Sequence, residues 1–270
     1  EGAESDSYLI AESGSHPLLG TAFVFNTYGE PSLGAVNLIQ QQDDFRELLF
    51  PWISNSQDFE SQLIVNNLAN EEVTCTLTAR RANGASETIV RSIPAHGFLS
   101  ERASILFPGL PTGMGYTVHV ESDRGPIYGR WVTFNLNSVS GKSPSQGVAL
   151  VGPPDSSEKD LLFGFLPITN NLISATVVVN RGDEPTSLSL HFFNRSGEEV
   201  GQFFYVTELQ PMIPEALVIN DLILPQGEDL VAVARSGSGP IGGVAFIFNQ
   251  GREPAIGNAV PLETFQLPGQ

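Results

Sequence analysis

SDRGPIYG, Ser122–Gly129, stands between two runs that alternate in the manner of β-strands, and variants of it recur as SGSHPLLG from Ser13 and SGSGPIGG from Ser236. Each is followed by a strand-like segment ending in Phe-Asn: TAFVFN (21–26), RWVTFN (130–135) and VAFIFN (244–249). The first and third copies go on to agree, EPSLGAV (30–36) against EPAIGNAV (253–260). Proline fixes φ and cannot donate to a ladder, and a neighbouring glycine can take positive φ, so each octapeptide reads as a turn that returns the chain antiparallel. Three such turns predict three hairpins.

Upstream, LLFPW (48–52) matches LLFGF (161–165), and QLIVNN (62–67) matches TVVVNR (176–181). The second and third turns begin 114 residues apart, which is the size of one domain. Self-similarity at that period predicts two full repeats, 46–151 and 152–270, preceded by residues 1–45 as a partial repeat holding only a C-terminal hairpin. The same string can also be cut so that the turn opens each domain, which moves the leftover hairpin to the C-terminus. The stretches QQQDD (40–44) and GPPDSSEKD (152–160) read as connections.

Within a repeat the apolar period is two. Tyr116, Val118 and Val120 alternate with Thr117, His119 and Glu121, and Leu188, Leu190 and Phe192 with Ser187, Ser189 and His191, the pattern of half-buried strands. Runs bounded by Gly, Pro or Asn give seven or eight short strands per repeat and no helix beyond a turn or two. The expected fold is all-β: two tandem immunoglobulin-like β-sandwich repeats plus an extra N-terminal β-hairpin.

On the return strand Phe23/Val132/Phe246 and Phe25/Phe134/Phe248 are bulky in every copy and are expected to face the core. Trp131 and Thr133 then point to the opposite face, where the siblings carry Ala22 and Ala245. If the preceding strand pairs with theirs, Thr117 and His119 share that face. An aromatic ring with polar neighbours suits stacking on a sugar, so these four residues form the candidate ligand face. The competing reading packs Trp131 under a loop or against the adjacent repeat. Val231 and Val233, at the matching outer positions of the last repeat, favour a covered face there.

LLFPW, the Asn-terminated strand QLIVNN, and the closing segment with Gly-Pro-Ile and an aromatic-rich strand resemble tandem immunoglobulin or fibronectin type III modules of bacterial secreted and cell-surface proteins. The resemblance implies an extracellular spacer, adhesion or ligand-binding role and brings no catalytic residues with it.

The balance of 30 Asp+Glu against 13 Lys+Arg makes a surface that repels nucleic acid and anionic lipid. No apolar run approaches the roughly 20 residues that span a bilayer. The single Cys75 permits no internal disulfide, and the four histidines lack zinc spacing. No cofactor is expected. Calcium is the one metal with candidate ligands, Asp155, Glu158 and Asp160 or Asp43 and Asp44, weighed against acidic linkers in solvent. The chain begins at Glu1 and not at a methionine and an apolar leader, as either a removed signal peptide or a trimmed chain would give. The acidic, lysine-poor composition, rich in Ser, Thr, Asn, Gly and Pro, suits an exported bacterial protein, extracellular or on the cell surface. Its partners would be an extracellular protein or a polysaccharide, and the sequence leaves the oligomeric state open.

Gly237, Gly239 and Gly242 match G-x-G-x-x-G, but a strand follows where the dinucleotide fingerprint needs a helix. Arg181-Gly182-Asp183 spells an integrin-type tripeptide, read more plainly as an interstrand turn. Asn194-Arg195-Ser196 is a glycosylation sequon, meaningful in a eukaryotic secretory route. A nucleophile triad needs a histidine positioned by an acid beside Ser or Cys. His96 lies in the loop-like IPAHG, His191 on the polar face of a strand, and Cys75 alternates with threonines and packs inside; nothing marks a serine as activated. The expected role is therefore a non-catalytic structural or adhesive segment. A carbohydrate-binding module using the Trp131 face is the alternative, and a hydrolase stands third.

Overall fold

The computed structural model describes residues 45–137, 145–152 and 158–262, with the backbone of two short strands at 21–22 and 36–37. Described elements are almost entirely antiparallel β. After β1 (Thr21–Ala22) and β2 (Val36–Asn37), a first set of nine strands comprises β3 (Glu47–Ile53), β4 (Phe59–Asn67), β5 (Val73–Arg80), β6 (Ser86–Ile93), β7 (Phe98–Arg102), β8 (Tyr116–Ser122), β9 (Ile127–Asn135), β10 (Ser145–Val148) and β11 (Leu150–Val151). One helical turn, α1 (Ala103–Leu106), lies between β7 and β8.

A second set follows: β12 (Asp160–Ile168), β13 (Leu172–Asn180), β14 (Thr186–Phe193), β15 (Glu199–Leu209), β16 (Pro214–Val218), β17 (Glu228–Ser236), β18 (Ile241–Asn249), β19 (Pro254–Asn258) and β20 (Val260–Leu262). A 3-10 turn at Ile219–Asp221 takes the place of α1. The sheets run β11-β3-β8-β5-β6 and β10-β9-β4-β7 in the first set, and β20-β12-β17-β14-β15 and β19-β18-β13-β16 in the second. Strand for strand the orders are the same. Each set has nine strands, where seven or eight were expected; the short closing strands make the difference. β1 pairs with β2, which lies near β10. Phe23, Phe25 and the QQQDD connection lie outside the described residues.

The two proline turns within the described residues are not hairpins; the first, Ser13–Gly20, lies outside them. β8 pairs with β3 and β5, while β9 pairs with β4 and β10, so Ser122–Gly125 carries the chain from one sheet to the other. The Ile127 amide donates to the Phe45 carbonyl (2.9 Å) and the Leu68 amide to the Pro126 carbonyl (3.0 Å), which pins the crossing. β17 and β18 are related in the same way. The first strand of each set lies beside the sixth and the seventh beside the second; an immunoglobulin sandwich pairs first with second and last with sixth.

Register corrects one motif match by a single residue. Asn67 pairs opposite Ile127 and Asn180 opposite Ile241, so Asn180 corresponds to Asn67 and not to Asn66. Each of these buried amides closes its strand end. Asn67 Nδ2 donates to the carbonyls of Glu71, Ile93 and Pro94 at 2.8, 3.0 and 2.9 Å, and Asn180 Nδ2 to those of Glu184 and Leu209 at 2.8 and 2.9 Å. The Oδ1 of each accepts the amide two residues on, an Asx turn.

The face expected to be the core is reversed. β9 turns Ile127, Gly129, Trp131 and Thr133 inward, leaving Val132 and Phe134 half-buried outside. In β18, Ile241 and Ala245 pack with the second set's own core, whereas Val244 and Phe246, with Val177, Val179 and Ile256, join the core of the first set. Sheet β19-β18-β13-β16 is thus apolar on both faces. A strand covered on both sides carries no parity signal in its hydrophobicity, and a one-residue choice flips every side chain.

Candidate functional site

The four residues of the predicted ligand face do not form one face. Trp131 is wholly buried, edge-on to Phe50 at 6.1 Å between ring centres, and its Nε1 has no hydrogen-bond partner among the described residues. Thr133 is buried and shares a 3.0 Å hydroxyl hydrogen bond with Ser61. Thr117 and His119 lie on β8, in the opposite sheet. Thr117 Oγ1 donates to the Met212 carbonyl of the second set at 2.6 Å. His119 is half-buried, with Nε2 3.9 Å from Glu47 Oε2 and Nδ1 3.9 Å from Glu121 Oε2. Burial holds its pKa below the ordinary imidazole value, against the upward pull of Glu121 and Glu47. The expectation failed because β8 and β9 are not neighbours: the turn between them changes sheets.

A cleft of about 320 Å³ opens where sheet β19-β18-β13-β16 meets the first set. Trp52, Phe59, Phe246 and Phe248 line it, together with the serines Ser54 and Ser56. Phe59 and Phe248 lie 5.6 Å apart between ring centres, and Trp52 Nε1 donates to Ser54 Oγ at 3.2 Å. Met114 and Val218, 67% and 40% exposed, also line the cleft and open it to solvent. Trp52 stands on a bulge where the β3–β8 register shifts between Phe50 and Ile53, and a bulge re-aims a side chain. The signal was present in LLFPW, since a proline inside a strand run marks an edge or a bulge. β12 has the same irregularity between Phe163 and Leu166; there Phe165, the counterpart of Trp52, is exposed.

The remaining motifs are mostly absorbed by packing. Arg181 of the Arg-Gly-Asp tripeptide is 7% exposed, paired with Glu158 at 2.6 Å and donating to the Gly152 carbonyl at 3.0 Å, so its guanidinium is not presented. Glu158 is thereby taken from the calcium candidates, and Asp160 is held by two 2.8 Å bonds from Arg235; Asp43, Asp44 and Asp155 lie outside the described residues. β18 follows the glycine motif, and a Cβ on Gly242 would lie 2.3 Å from Leu150 Cδ1, leaving no room for a pyrophosphate. Asn194 of the sequon closes a turn through the amides of Ser196 and Glu198. Cys75 is buried, and burial first, with Asp123 second, raises its pKa to about 11; a thiol held protonated is inert.

His191 is the exception. Its Nδ1 lies 2.8 Å from Glu199 Oε1 and its Nε2 3.2 Å from Ser189 Oγ. The sequence places the histidine on a polar strand face with Ser189 but does not show the acid, which comes from the next strand.

No family model and no curated protein matches the chain. Among solved structures it is similar to Thermotoga maritima 1070, at 16% identity and TM-score 0.35 over 40% of this chain and 96% of that one. It is also similar to a glycosyl hydrolase family 2 member from Bacteroides cellulosilyticus DSM 14838, at 7% identity and TM-score 0.16 over 80% of this chain and 28% of that one. At these scores neither likeness carries an argument.

Proposed function

We propose that the chain is a structural or adhesive segment of a secreted or cell-surface protein. It comprises two tandem β-sandwich modules, near 46–151 and 152–270, with a partial repeat ahead of them; their strand order is not that of an immunoglobulin sandwich. The observation that carries this reading is the shared core: Val177, Val179, Val244 and Phe246 of the second set belong to the apolar cluster of the first. Buried apolar area stabilises by about 25 cal/mol per Å², so a junction of this kind resists bending where a polar linker would not. Polar contacts reinforce it. Asn135 Nδ2 donates to the Gly251 and Arg252 carbonyls at 3.0 and 3.2 Å, and Asn258 Nδ2 donates to the Val148 carbonyl at 2.6 Å. A rigid pair holds its loops at fixed separation, as a spacer or an adhesive segment requires. Small-angle scattering of the whole chain tests it: one maximum dimension, unchanged from low to high salt, is expected, and an ensemble of hinged shapes would refute it.

A second reading is carbohydrate binding at the junction cleft, favoured by the meeting of Trp52 with the Ser54 and Ser56 hydroxyls near solvent. Binding on a polysaccharide panel that Trp52→Ala abolishes and Trp131→Phe retains would select it; binding by neither protein nor variant would remove it.

A further inference from the structure

The outer face of β14 brings together a serine, a histidine and an acid that the structural reading does not use. We propose that Ser189 is an activated nucleophile, with His191 as its general base and Glu199 as the acid that orients the imidazole, and that it takes the acyl group of a small carboxylic ester. The inference goes beyond the structural role and departs from the expectation that no serine is activated.

Residues two apart on a strand share a face, which puts Ser189 beside His191. His191 is almost wholly buried, its side chain 5% exposed, so the ring is held. An ionised carboxylate only accepts hydrogen bonds, so Glu199 at 2.8 Å fixes the proton on Nδ1 and leaves Nε2 as the acceptor for the Ser189 hydroxyl at 3.2 Å. That is the order of roles in a serine–histidine–acid relay, recognised by geometry and not by chain order.

Two further features flank the serine. The β14–β15 ladder runs from Leu188 opposite Val206 to Ser189 opposite Phe204, which leaves the main chain of Tyr205 outside the regular pairs beside Ser189. Such bulges cluster next to active sites. On the other side Arg235 pairs directly opposite Ser189, its guanidinium fixed by Asp160 through two 2.8 Å bonds. A fixed cation near developing negative charge is the kind of group that stabilises an oxyanion.

The fold itself does not require these residues. In the first set the matching positions are Thr76 and Thr78, opposite Glu121 and His119 on β8, as Ser189 and His191 are opposite Arg235 and Val233 on β17. The position of Glu199, opposite Phe193, is Ser86, opposite Arg80. The same sheet forms there with threonines and a serine at these three positions, its histidine and acids standing on β8 and β3 instead.

In the proposed step the Ser189 Oγ forms a bond to the ester carbonyl carbon, its proton passes to His191 Nε2, and the alcohol leaves with that proton as its C–O bond breaks. Water, with His191 again as base, then splits the acyl-serine to the acid. The net reaction is ester plus water to acid plus alcohol. Ser189 is half-buried, between the exposed Ser187 and the buried His191, which suits a short acyl group.

The test is labelling with a fluorophosphonate probe, in which serine oxygen displaces fluoride, followed by intact mass and peptide mapping. Release of nitrophenolate from 4-nitrophenyl acetate is followed in parallel. One adduct per chain, on Ser189, is expected; Ser189→Ala should lose it, and His191→Gln should slow it by about 100-fold, with circular dichroism showing that each variant is folded. No adduct on folded wild type, or a rate that His191→Gln leaves unchanged, overturns the proposal. Thr76→Ser combined with His119→Gln supplies a control should His191→Gln not fold: it places a serine at the matching position with the neighbouring histidine removed, and labelling there as fast as at Ser189 would equally overturn it.

Discussion

Replacing Gly147 by alanine drives a methyl group into the ring of Trp131. Gly147 is the cross-strand partner of Trp131, and a Cβ there would lie 2.3 Å from Cζ2, 2.4 Å from Cη2 and 2.7 Å from Cε2. Contact distances between carbons are about 3.5–4 Å, so the ring or strand β10 must move by about 1 Å. The ring has nowhere to go, since it is fully buried against Phe50. Overpacking of this kind costs about 1–3 kcal/mol, and about 2 kcal/mol lowers Tm by roughly 4–8 °C in a chain of this size. Trp131→Phe removes the two closest ring atoms, so Gly147→Ala should be tolerated in that background, with a coupling of about 1–2 kcal/mol in the double-mutant cycle. Gly257 supplies the control. It pairs with Ala245 in the corresponding register, and a Cβ there meets nothing within 4 Å; Gly257→Ala should stay within about 0.5 kcal/mol. Urea unfolding of the five proteins reads all of this. Additive effects, or equal costs at 147 and 257, would refute the placement of Trp131 inside the sandwich.

Asn67→Ala and Asn180→Ala each strand carbonyls at a buried strand end and should cost about 1–3 kcal/mol apiece; denaturation midpoints unchanged from wild type would contradict the shared strand-end network. Arg181→Met removes the partner of a half-buried Glu158 and the donor to the Gly152 carbonyl and should destabilise by about 1–3 kcal/mol, whereas Asp183→Glu should leave cell attachment as it was; an attachment loss would revive the tripeptide as a recognition motif. His119 has a folded pKa below 6.5 because burial outweighs Glu121 and Glu47. The unfolded chain therefore takes the proton more readily, and stability is lost as pH falls through about 6.5, with the loss ending below the folded pKa. Melting of wild type relative to His119→Gln between about pH 7.5 and 5.5 should fall in that direction; a rise would show the neighbouring carboxylates to be dominant.

The all-β class was legible because Tyr116, Val118 and Val120 alternate cleanly on a strand whose own core face is singular. The same rule misread β9 and β18. There both faces carry apolar groups, Trp131 inside and Phe134 outside, or Ala245 inside and Phe246 outside, and period two cannot say which is which. The proline turns gave chain reversal but not the choice between returning in the same sheet and crossing to the other, which is set by long-range pairing of β8 with β3 and of β9 with β4. Trp52 was visible in LLFPW, yet its role needed the second set, more than a hundred residues away, to close the cleft. Glu199 was one of 30 acids until strand pairing brought it to His191.

Scanning calorimetry on the whole chain bears most directly on the shared core. Two sets that bury Val177, Val179, Val244 and Phe246 in one apolar cluster should unfold together, in a single heat-absorption peak whose calorimetric and van't Hoff enthalpies agree. Phe246→Asp, which puts a charge into that cluster, should separate the peak into two. Two independent transitions in the wild-type protein, with Phe246→Asp shifting only one of them, would contradict the account.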